Sequence, residues 1–382
     1  LQLKGSGRTP FSRQGDGKSP LGPVLREYLV SEAMAALGIP TTRALAAVTT
    51  GEPVLRETAQ PGGILTRVAS SHVRVGTFQY FLGRERPDLI RQLADYVIAR
   101  HLPEAAEAEQ PYRVLLEEVG RRQAALIARW MQVGFVHGVM NTDNMQIAGE
   151  TIDFGPCAFM ETFDTNTVFS SIDHHGRYAW GNQPAIGQWN LTRLAEALLG
   201  LLDDDAGRAE EQAREALGVF AESFDALFVA GFAQKLGLPV EEDLAAFLRE
   251  SFAVLAAERV DFTLFFRHLT RIARGASDDA LRALFAEPEA GGQWLAAWRA
   301  RLGPVGAPTP DRAEAMARVN PIFIPRNHRV EEAIQGGLEG DFSAFERMNA
   351  AWTQPFTEQP EHAELERPAT DGERVHQTFC GT

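Results

Sequence analysis

Three side chains within a short span could do phosphate chemistry: Asp143, Asn144 and Asp153. They stand in the stretch from His137 to Gly155, which reads His-Gly-Val-Met-Asn-Thr-Asp-Asn, Met-Gln-Ile-Ala-Gly-Glu-Thr-Ile and Asp-Phe-Gly. An asparagine and an aspartate brought side by side are hard oxygen donors, suited to Mg²⁺ that carries nucleotide phosphates. To meet, they need short elements around them. Met145, Ile147 and Ile152 alternate with polar residues, which predicts two short strands about a turn at Gly149-Glu150. Such a hairpin would bring Asn144 and Asp153 to one end.

The layout follows the catalytic loop and Asp-Phe-Gly magnesium site of protein kinases, with one exception. In the pattern His-Arg-Asp-x-x-x-x-Asn, the Asp accepts the proton of the substrate hydroxyl. Counted from His137, Asn144 falls on the pattern's Asn, but Val139 stands where the Asp belongs. Valine cannot accept a proton. Either the chain is a dead kinase, or another residue serves a different reaction.

Composition narrows the class. The chain has 382 residues, 45% of them hydrophobic, and no apolar run approaches the roughly 20 residues that span a bilayer. Domains of about 100–200 residues predict two or three structural units. Cys157 and Cys380 are the only cysteines and lie far apart, which argues against a disulfide scaffold and for a reducing compartment. A cytoplasmic location of bacterial type is expected. The first residue is Leu1 rather than Met, so the chain reads as a fragment and an N-terminal address stays open. Net charge is −14, yet residues 1–80 carry nine cations against five anions. The acidic total disfavours nucleic acid, while the basic N-terminal region suits a small polyanion such as ATP. There is no internal repeat or low-complexity tract.

The elements around the central stretch follow from pattern. Leu1 to Lys4 alternates as a strand with Lys4 at its end, and a glycine-rich turn Gly15-Asp16-Gly17-Lys18-Ser19 follows. Gly-Lys-Ser does not make a P-loop, because Ser12 stands where the pattern needs glycine. The turn's backbone N–H groups could still form an anion nest. Residues Val24 to Leu37 are helical, with Leu25, Tyr28, Leu29, Ala33 and Leu37 as the apolar stripe and Gly38 and Pro40 as the stop. Glu27 lies in the first turns and could reach Lys4, the pairing that orients a phosphate-binding lysine in kinases; an exposed glutamate is the commoner case. Residues 44–57 and 63–69 read as strands separated by Gly51 and a turn at Pro61-Gly62-Gly63. Arg67 and Arg74, near strand ends, are either solvated or bidentate phosphate contacts.

The remainder reads as mostly helical: Pro87 to His101, Tyr112 to Gln132, Leu191 to Leu202, Arg208 to Leu236, Val240 to Arg259 and Ala280 to Leu302. Residues 104–107 and 156–190 read as irregular, the latter anchored by Phe159, Phe163, Phe169 and Trp180. Asp173-His174-His175 reads as loop rather than metal site, and Asp203-Asp204-Asp205 as a helix cap rather than a calcium site. Asn320 to His328 is an extended span before a last helix pair, and the tail from Thr353 is polar. The fold class expected is α+β, divided as 1–84 (mixed α/β), 85–352 (mainly helical, with the catalytic loop at 137–155) and 353–382 (tail).

Several segments together resemble the selenoprotein O (YdiU) family of protein adenylyltransferases. They are Leu-Gln-Leu-Lys-Gly-Ser-Gly-Arg-Thr-Pro-Phe-Ser-Arg at 1–13, Gly-Asp-Gly-Lys at 15–18, Ser-Glu-Ala-Met-Ala-Ala-Leu-Gly-Ile-Pro-Thr-Thr-Arg at 31–43 and the two halves of the central stretch. Gly-Asn-Gln-Pro and Trp-Asn-Leu within 181–191, Asn-Pro-Ile-Phe-Ile-Pro-Arg-Asn-His at 320–328 and the Cys-Gly-Thr end complete the set. The resemblance implies a protein-kinase-like two-lobe fold, with an N-terminal lobe that lacks its first strands and extra C-terminal helices. It also implies ATP bound in a flipped orientation, so that AMP rather than phosphate moves to Ser, Thr or Tyr hydroxyls of proteins. Carried over, Asp143 would be the proton acceptor, and Asn144 and Asp153 would hold Mg²⁺, with Mn²⁺ as an alternative. Lys4, Arg67 and Arg74 would contact phosphates, Glu27 would orient Lys4, and Asp16 and Gly17 would touch the nucleotide. The family's glycine-containing nucleotide loop precedes the position of Lys4 and is absent from this sequence. A redox bridge between Cys380 and Cys157 is a further implication. The competing readings are γ-phosphoryl transfer, a non-catalytic nucleotide-binding pseudokinase, and a helical interaction protein.

Overall fold

In a computed structural model, residues 1–12, 15–302 and 310–379 are described. The N-terminal part is built on a sheet whose centre is β4. Strands β1 (Gln2–Lys4), β2 (Ser19–Pro20), β3 (Arg43–Leu55) and β4 (Ala59–Val68) are antiparallel wherever they pair. β3 lines one edge of β4, while β1 and then β2 share the other. The register sets Gln2 opposite Arg67 and Lys4 opposite Leu65.

The expected turn at Pro61-Gly62-Gly63 is instead the interior of β4, and the chain reverses at Arg56–Thr58. These glycines answer to crowding rather than to a turn. A Cβ on Gly62 would stand 2.6 Å from Thr50 Oγ1 and 2.7 Å from the Glu52 carbonyl, where no side chain fits. Gly51, with φ +74°, sits in the irregularity of β3 between Thr49 and Pro53.

Helix α1 (Leu21–Ala36) packs against this sheet and buries Leu25, Leu29 and Ala33 as its stripe requires. It ends in a left-handed Gly38, with Ile39 N–H donating to Met34 O and Gly38 N–H to Ala35 O, the six-to-one and five-to-two bonds of a Schellman motif. Three helices lie outside the sequence expectations: α2 (Val75–Leu82), only two turns long, α8 (Phe262–Ala273) and α11 (Pro310–Ala317). α3 (Pro87–His101) and α4 (Pro111–Gln132) stand where expected, with Leu115, Leu116, Val119, Ile127 and Trp130 all buried. Between them Pro103–Glu107 forms a 3₁₀ turn.

β5 (Phe135–Val136) pairs with β6 (Ala158–Phe159), so the chain leaves and re-enters the central stretch at adjacent points. The hairpin expected inside that stretch does not form. Gln146 instead bridges to Arg74, and Thr151 bridges in parallel to Thr41. The apolar alternation of 145–152 correctly signalled burial, but burial does not specify a hydrogen-bond partner, and here the partners lie in two other segments.

α5 spans Gln183–Leu202, beginning eight residues earlier than expected. Gly187 explains this: a Cβ there would stand 2.4 Å from Ile127 Cδ1, so the glycine serves close helix contact rather than a break. α6 (Ala206–Leu236) is capped by Asp205, whose carboxylate accepts from Arg208 N–H at 2.9 Å. By length and composition it is apolar enough to cross a membrane, although Glu222 and Asp225 interrupt it. Its Phe220, Phe224, Phe228 and Phe232 stack along one face, and the helix packs on α4 and α5.

α7 (Leu244–Ala257) and α8 (Phe262–Ala273) follow, the latter capped by Asp261. The single helix expected at Ala280 to Leu302 is two, α9 (Asp279–Arg282) and α10 (Pro288–Arg301), because Pro288 can open a helix but not continue one. α11 (Pro310–Ala317), α12 (Asn327–Glu339) and α13 (Ser343–Trp352) close the set. The whole is mixed, with a four-stranded sheet at the N-terminal end, the short β5–β6 pair beside the central stretch, and helix as the main component.

Candidate active site

The site is a buried charge cluster. Lys4, at the end of β1, donates through Nζ to Glu27 Oε2 at 2.7 Å and to Asp153 Oδ1 at 3.1 Å. Arg67 repeats the pattern from β4, donating to both Glu27 oxygens at 2.5 and 2.8 Å and to Asp153 Oδ1 at 3.2 Å. Two cations and two carboxylates from four segments thus converge, with Glu27 fully buried and Lys4 8% exposed. Burial alone would raise the Glu27 and Asp153 pKa values; Arg67 and Lys4 overcome it and hold both carboxyls below their usual range. Burial alone would likewise lower Lys4, yet Asp153 and Glu27 hold it above its ordinary value. The cluster is therefore ionised on both sides at neutral pH.

Gln2 extends the cluster, and nothing in its sequence spacing marks it. Its Oε1 accepts from Arg67 Nη1 at 3.0 Å and from Arg74 Nη2 at 3.1 Å. Arg74 Nη1 in turn donates to the Asp143 carbonyl at 2.7 Å. A continuous path of hydrogen bonds thereby runs from Asp153 through Arg67, Gln2 and Arg74 to the backbone of Asp143.

The loop that carries Asp143 is held on every side. Asn141 caps the single turn Thr142–Asn144, its Oδ1 accepting from Asp143 N–H at 3.1 Å. Asn144 Nδ2 donates to Val139 O at 2.9 Å. His137 is completely buried, with Nε2 against Ile152 O at 2.9 Å and Nδ1 accepting from Val139 N–H at 3.3 Å. An accepting Nδ1 places the proton on Nε2, and burial, which depresses the imidazole pKa, keeps the ring neutral. Asp153 itself has φ +67°, a conformation that costs a non-glycine residue about 1 kcal/mol or more and recurs at functional sites.

Gly76, in the first turn of α2, faces Asp143: a Cβ there would lie 2.3 Å from Asp143 Oδ1. Gly76→Ala is therefore expected to push the Asp143 carboxylate aside and lower turnover by about 10-fold or more, since displacements of this size are costly in catalysis. A steady-state rate within two-fold of the parent at equal folded fraction would contradict it.

Of the residues singled out from sequence, Lys4, Glu27, Arg67, Arg74 and Asp153 come together, with Asp143 joined through its backbone. Asp16 and Gly17 belong to a neighbouring loop, closed by Gly7 N–H donating to Gly17 O at 3.0 Å. The Asp16 carboxylate accepts from Arg56 and from Lys18 N–H, and the Arg56 hydrogen bond lowers its pKa to about 2. Cys157 is buried, and burial pushes its thiol up to about 12. Its suggested partner Cys380 lies outside the described residues, although the tail reaches this segment: Thr378 Oγ1 donates to Pro156 O at 2.5 Å.

Magnesium requires few protein ligands when phosphates and water supply the rest. No group of three or more His, Cys, Asp or Glu that could hold a metal occurs among the described residues. Asn144 and Asp153 offer oxygen donors of the type that lesser demand calls for. The Asn144 amide nitrogen is committed to Val139, which leaves the carboxamide oxygen as its donor atom, and both cation contacts of Asp153 fall on Oδ1 alone.

Comparison with known proteins decides the family. The profile described as protein adenylyltransferase SelO matches residues 1–352. The chain belongs to the SelO family. Among its relatives, the protein nucleotidyltransferase YdiU of Rhodopseudomonas palustris (strain HaA2) is 58% identical over 385 residues, covering all of this chain and 78% of that protein. The YdiU proteins of Rhizobium etli (strain ATCC 51251) and Methylorubrum extorquens are each 56% identical, covering all of this chain and 77% and 79% of their own lengths. This SelO chain thus carries its buried cluster and its unusual Val139 together.

Proposed function

We propose that this chain is a protein adenylyltransferase of protein-kinase-like two-lobe design, which transfers AMP from ATP to a Ser, Thr or Tyr hydroxyl of a protein and releases pyrophosphate. The observation that carries the reading is the path from Asp153 through Arg67, Gln2 and Arg74 to Asp143. It aligns three cations, Lys4 included, with the loop whose base position holds Val139 and whose next acid is Asp143. Family membership supplies the reaction class.

In this mechanism the substrate hydroxyl oxygen bonds to the α-phosphorus while the bond from that phosphorus to the bridging oxygen of the β-phosphate breaks. The electron pair leaves with pyrophosphate, and the hydroxyl proton passes to the Asp143 carboxylate. Lys4, Arg67 and Arg74 would offset the negative charge that accumulates on the phosphates, the largest contribution in transfers of this kind. Glu27 keeps Lys4 and Arg67 oriented before the nucleotide arrives. Asn144 and Asp153 would hold Mg²⁺, which when bound would neutralise charge on the polyphosphate. Asp16 and Gly17 would line the nucleotide's approach.

The deciding measurement compares labels. Protein substrate incubated with α-³²P-ATP is expected to become radioactive, and substrate incubated with γ-³²P-ATP is expected to stay unlabelled. The reverse pattern would make the chain a kinase. ATP-dependent thermal stabilisation with neither label would make it a nucleotide-binding pseudokinase.

A further inference from the structure

The segment Asn320 to His328 takes no part in the cluster just described, yet it runs straight into α12, which lies against α1. Between the two helices stands Arg26, the residue before Glu27, only 4% exposed. Its Nη1 donates to Asn327 Oδ1 at 2.8 Å and to the Cys157 carbonyl at 3.2 Å, and its Nη2 donates to the Glu331 carboxylate. Asn327 and Glu331 are one turn apart on α12 and so present the same face. Arg26 and Glu27, adjacent on a helix, point to different sides: Glu27 into the charge cluster, Arg26 toward α12.

One guanidinium therefore ties three things together: the helix that carries Glu27, the segment that follows Asp153-Phe154-Gly155, and the start of α12. The apolar contacts around it are close. A Cβ on Gly337 would stand 2.5 Å from Leu25 Cδ1, one on Gly22 would stand 3.2 Å from Ile334 Cγ2, and Tyr28 meets Phe345 with ring centroids 5.3 Å apart. Arg326, one residue before Asn327, does the same work on the other side. It is 1% exposed and donates to Glu161 at 2.9 Å and Asp261 at 3.0 Å. The start of α12 is thus held both by α1, through Arg26, and by Glu161 and Asp261, through Arg326.

We propose that Arg26, held by Asn327 and Glu331, is a positioning residue for nucleotidyl transfer: it sets α1 against the segment after Gly155 and so sets Glu27 relative to Asp153. The inference rests on the adenylyltransferase reading for its catalytic consequence, but not for its structural one. Lys4 and Arg67 each bridge Glu27 and Asp153, so a slip of α1 moves both cations off the phosphates. Misplacement of about 1 Å can cost 10²-fold in rate.

The test uses Arg26→Met, which keeps the stem and loses all three donations, with Asn327→Ala as a milder variant and Arg26→Lys as the conservative rescue. Ser251→Ala serves as a stability control, because it removes the buried bond from Trp294 Nε1 at 2.9 Å between α7 and α10. For Arg26→Met, kcat for α-³²P-AMP transfer is expected to fall about 10-fold or more, with a smaller change in KM for ATP, the mark of an interaction needed in the transition state. Asn327→Ala should fall between, Arg26→Lys should recover part of the loss, and Ser251→Ala should lower Tm with kcat unchanged. Amide hydrogen exchange should accelerate in α1 and residues 157–161 of Arg26→Met while α7 and α10 stay at parent rates. Parent-like exchange in α1, uniform acceleration across the molecule, or parent-like kcat would each overturn the proposal. A parent protein that transfers no AMP would refute the reaction instead, and the exchange pattern would still decide whether Arg26 positions α1.

Discussion

Asp143→Asn is expected to lose about 10²–10⁴-fold in kcat, the range typical of a positioned general base. The substitution keeps the side chain's size and leaves the backbone contacts from Arg74 and Asn141 in place, so the loop should hold its shape. ATP-dependent thermal stabilisation should accordingly be retained while label transfer from α-³²P-ATP is lost. That combination separates a missing base from a collapsed site. A variant that transfers AMP within about three-fold of the parent would place the proton elsewhere and remove Asp143 from the mechanism.

The second large effect is on stability. Glu27→Gln removes the one fully buried carboxylate shared by Lys4 and Arg67, leaving two interior cations with Asp153 alone. Removing one partner of a buried ion pair costs about 3–5 kcal/mol, and equilibrium urea unfolding should show a loss of that order. The pH dependence carries a definite sign. The Glu27 and Asp153 carboxyls are held below their ordinary values when folded, so their stabilisation is present above the unfolded carboxylate pKa, about 4. It drains away as pH falls below that toward the folded values. Lys4 is held above its ordinary value, so its share is complete below about pH 10 and is lost as pH rises through the folded value. Glu27→Gln should flatten the acid limb of the stability curve. A parent-like midpoint and acid limb would show that the Glu27 charge contributes nothing to holding the cluster.

Much of the site was legible beforehand because its residues sit on elements that announce themselves. Lys4 ends an alternating strand and Glu27 falls in the first turns of a helix with a glycine stop, so the pair could be named in advance, although an exposed glutamate is the commoner case and only the fold brings the two to 2.7 Å. Gln2 was invisible for the opposite reason. A single glutamine has no periodicity, and its role exists only because the β1–β4 register sets it opposite Arg67. The readings of Pro61-Gly62-Gly63 as a turn and of Gly187 as lying in an irregular stretch failed for one shared cause. Glycine is used both where the backbone must reverse and where another chain must approach closely, and only the neighbour's position distinguishes the two.

The amino-acid order by itself determined the class of chemistry. Asn144 and Asp153 are hard oxygen donors of the kind a phosphate-bound cation takes, Val139 cannot take a proton, and these residues left a dead kinase and a different transfer both open until the resemblance of the longer segments pointed to AMP. Local sequence also set most helices, because a 3.6-residue stripe and a cap are properties of neighbours along the chain. Tertiary structure alone decided how the charges meet. The 145–152 strands did not pair with each other, since Gln146 and Thr151 found Arg74 and Thr41 instead. The bridging of Glu27 and Asp153 by Lys4 and Arg67, and the Arg26 tie to α12, join residues from 23 to 305 positions apart. Pairings over such distances depend on which faces remain to be buried once the helices and sheet have formed, and no short pattern encodes that.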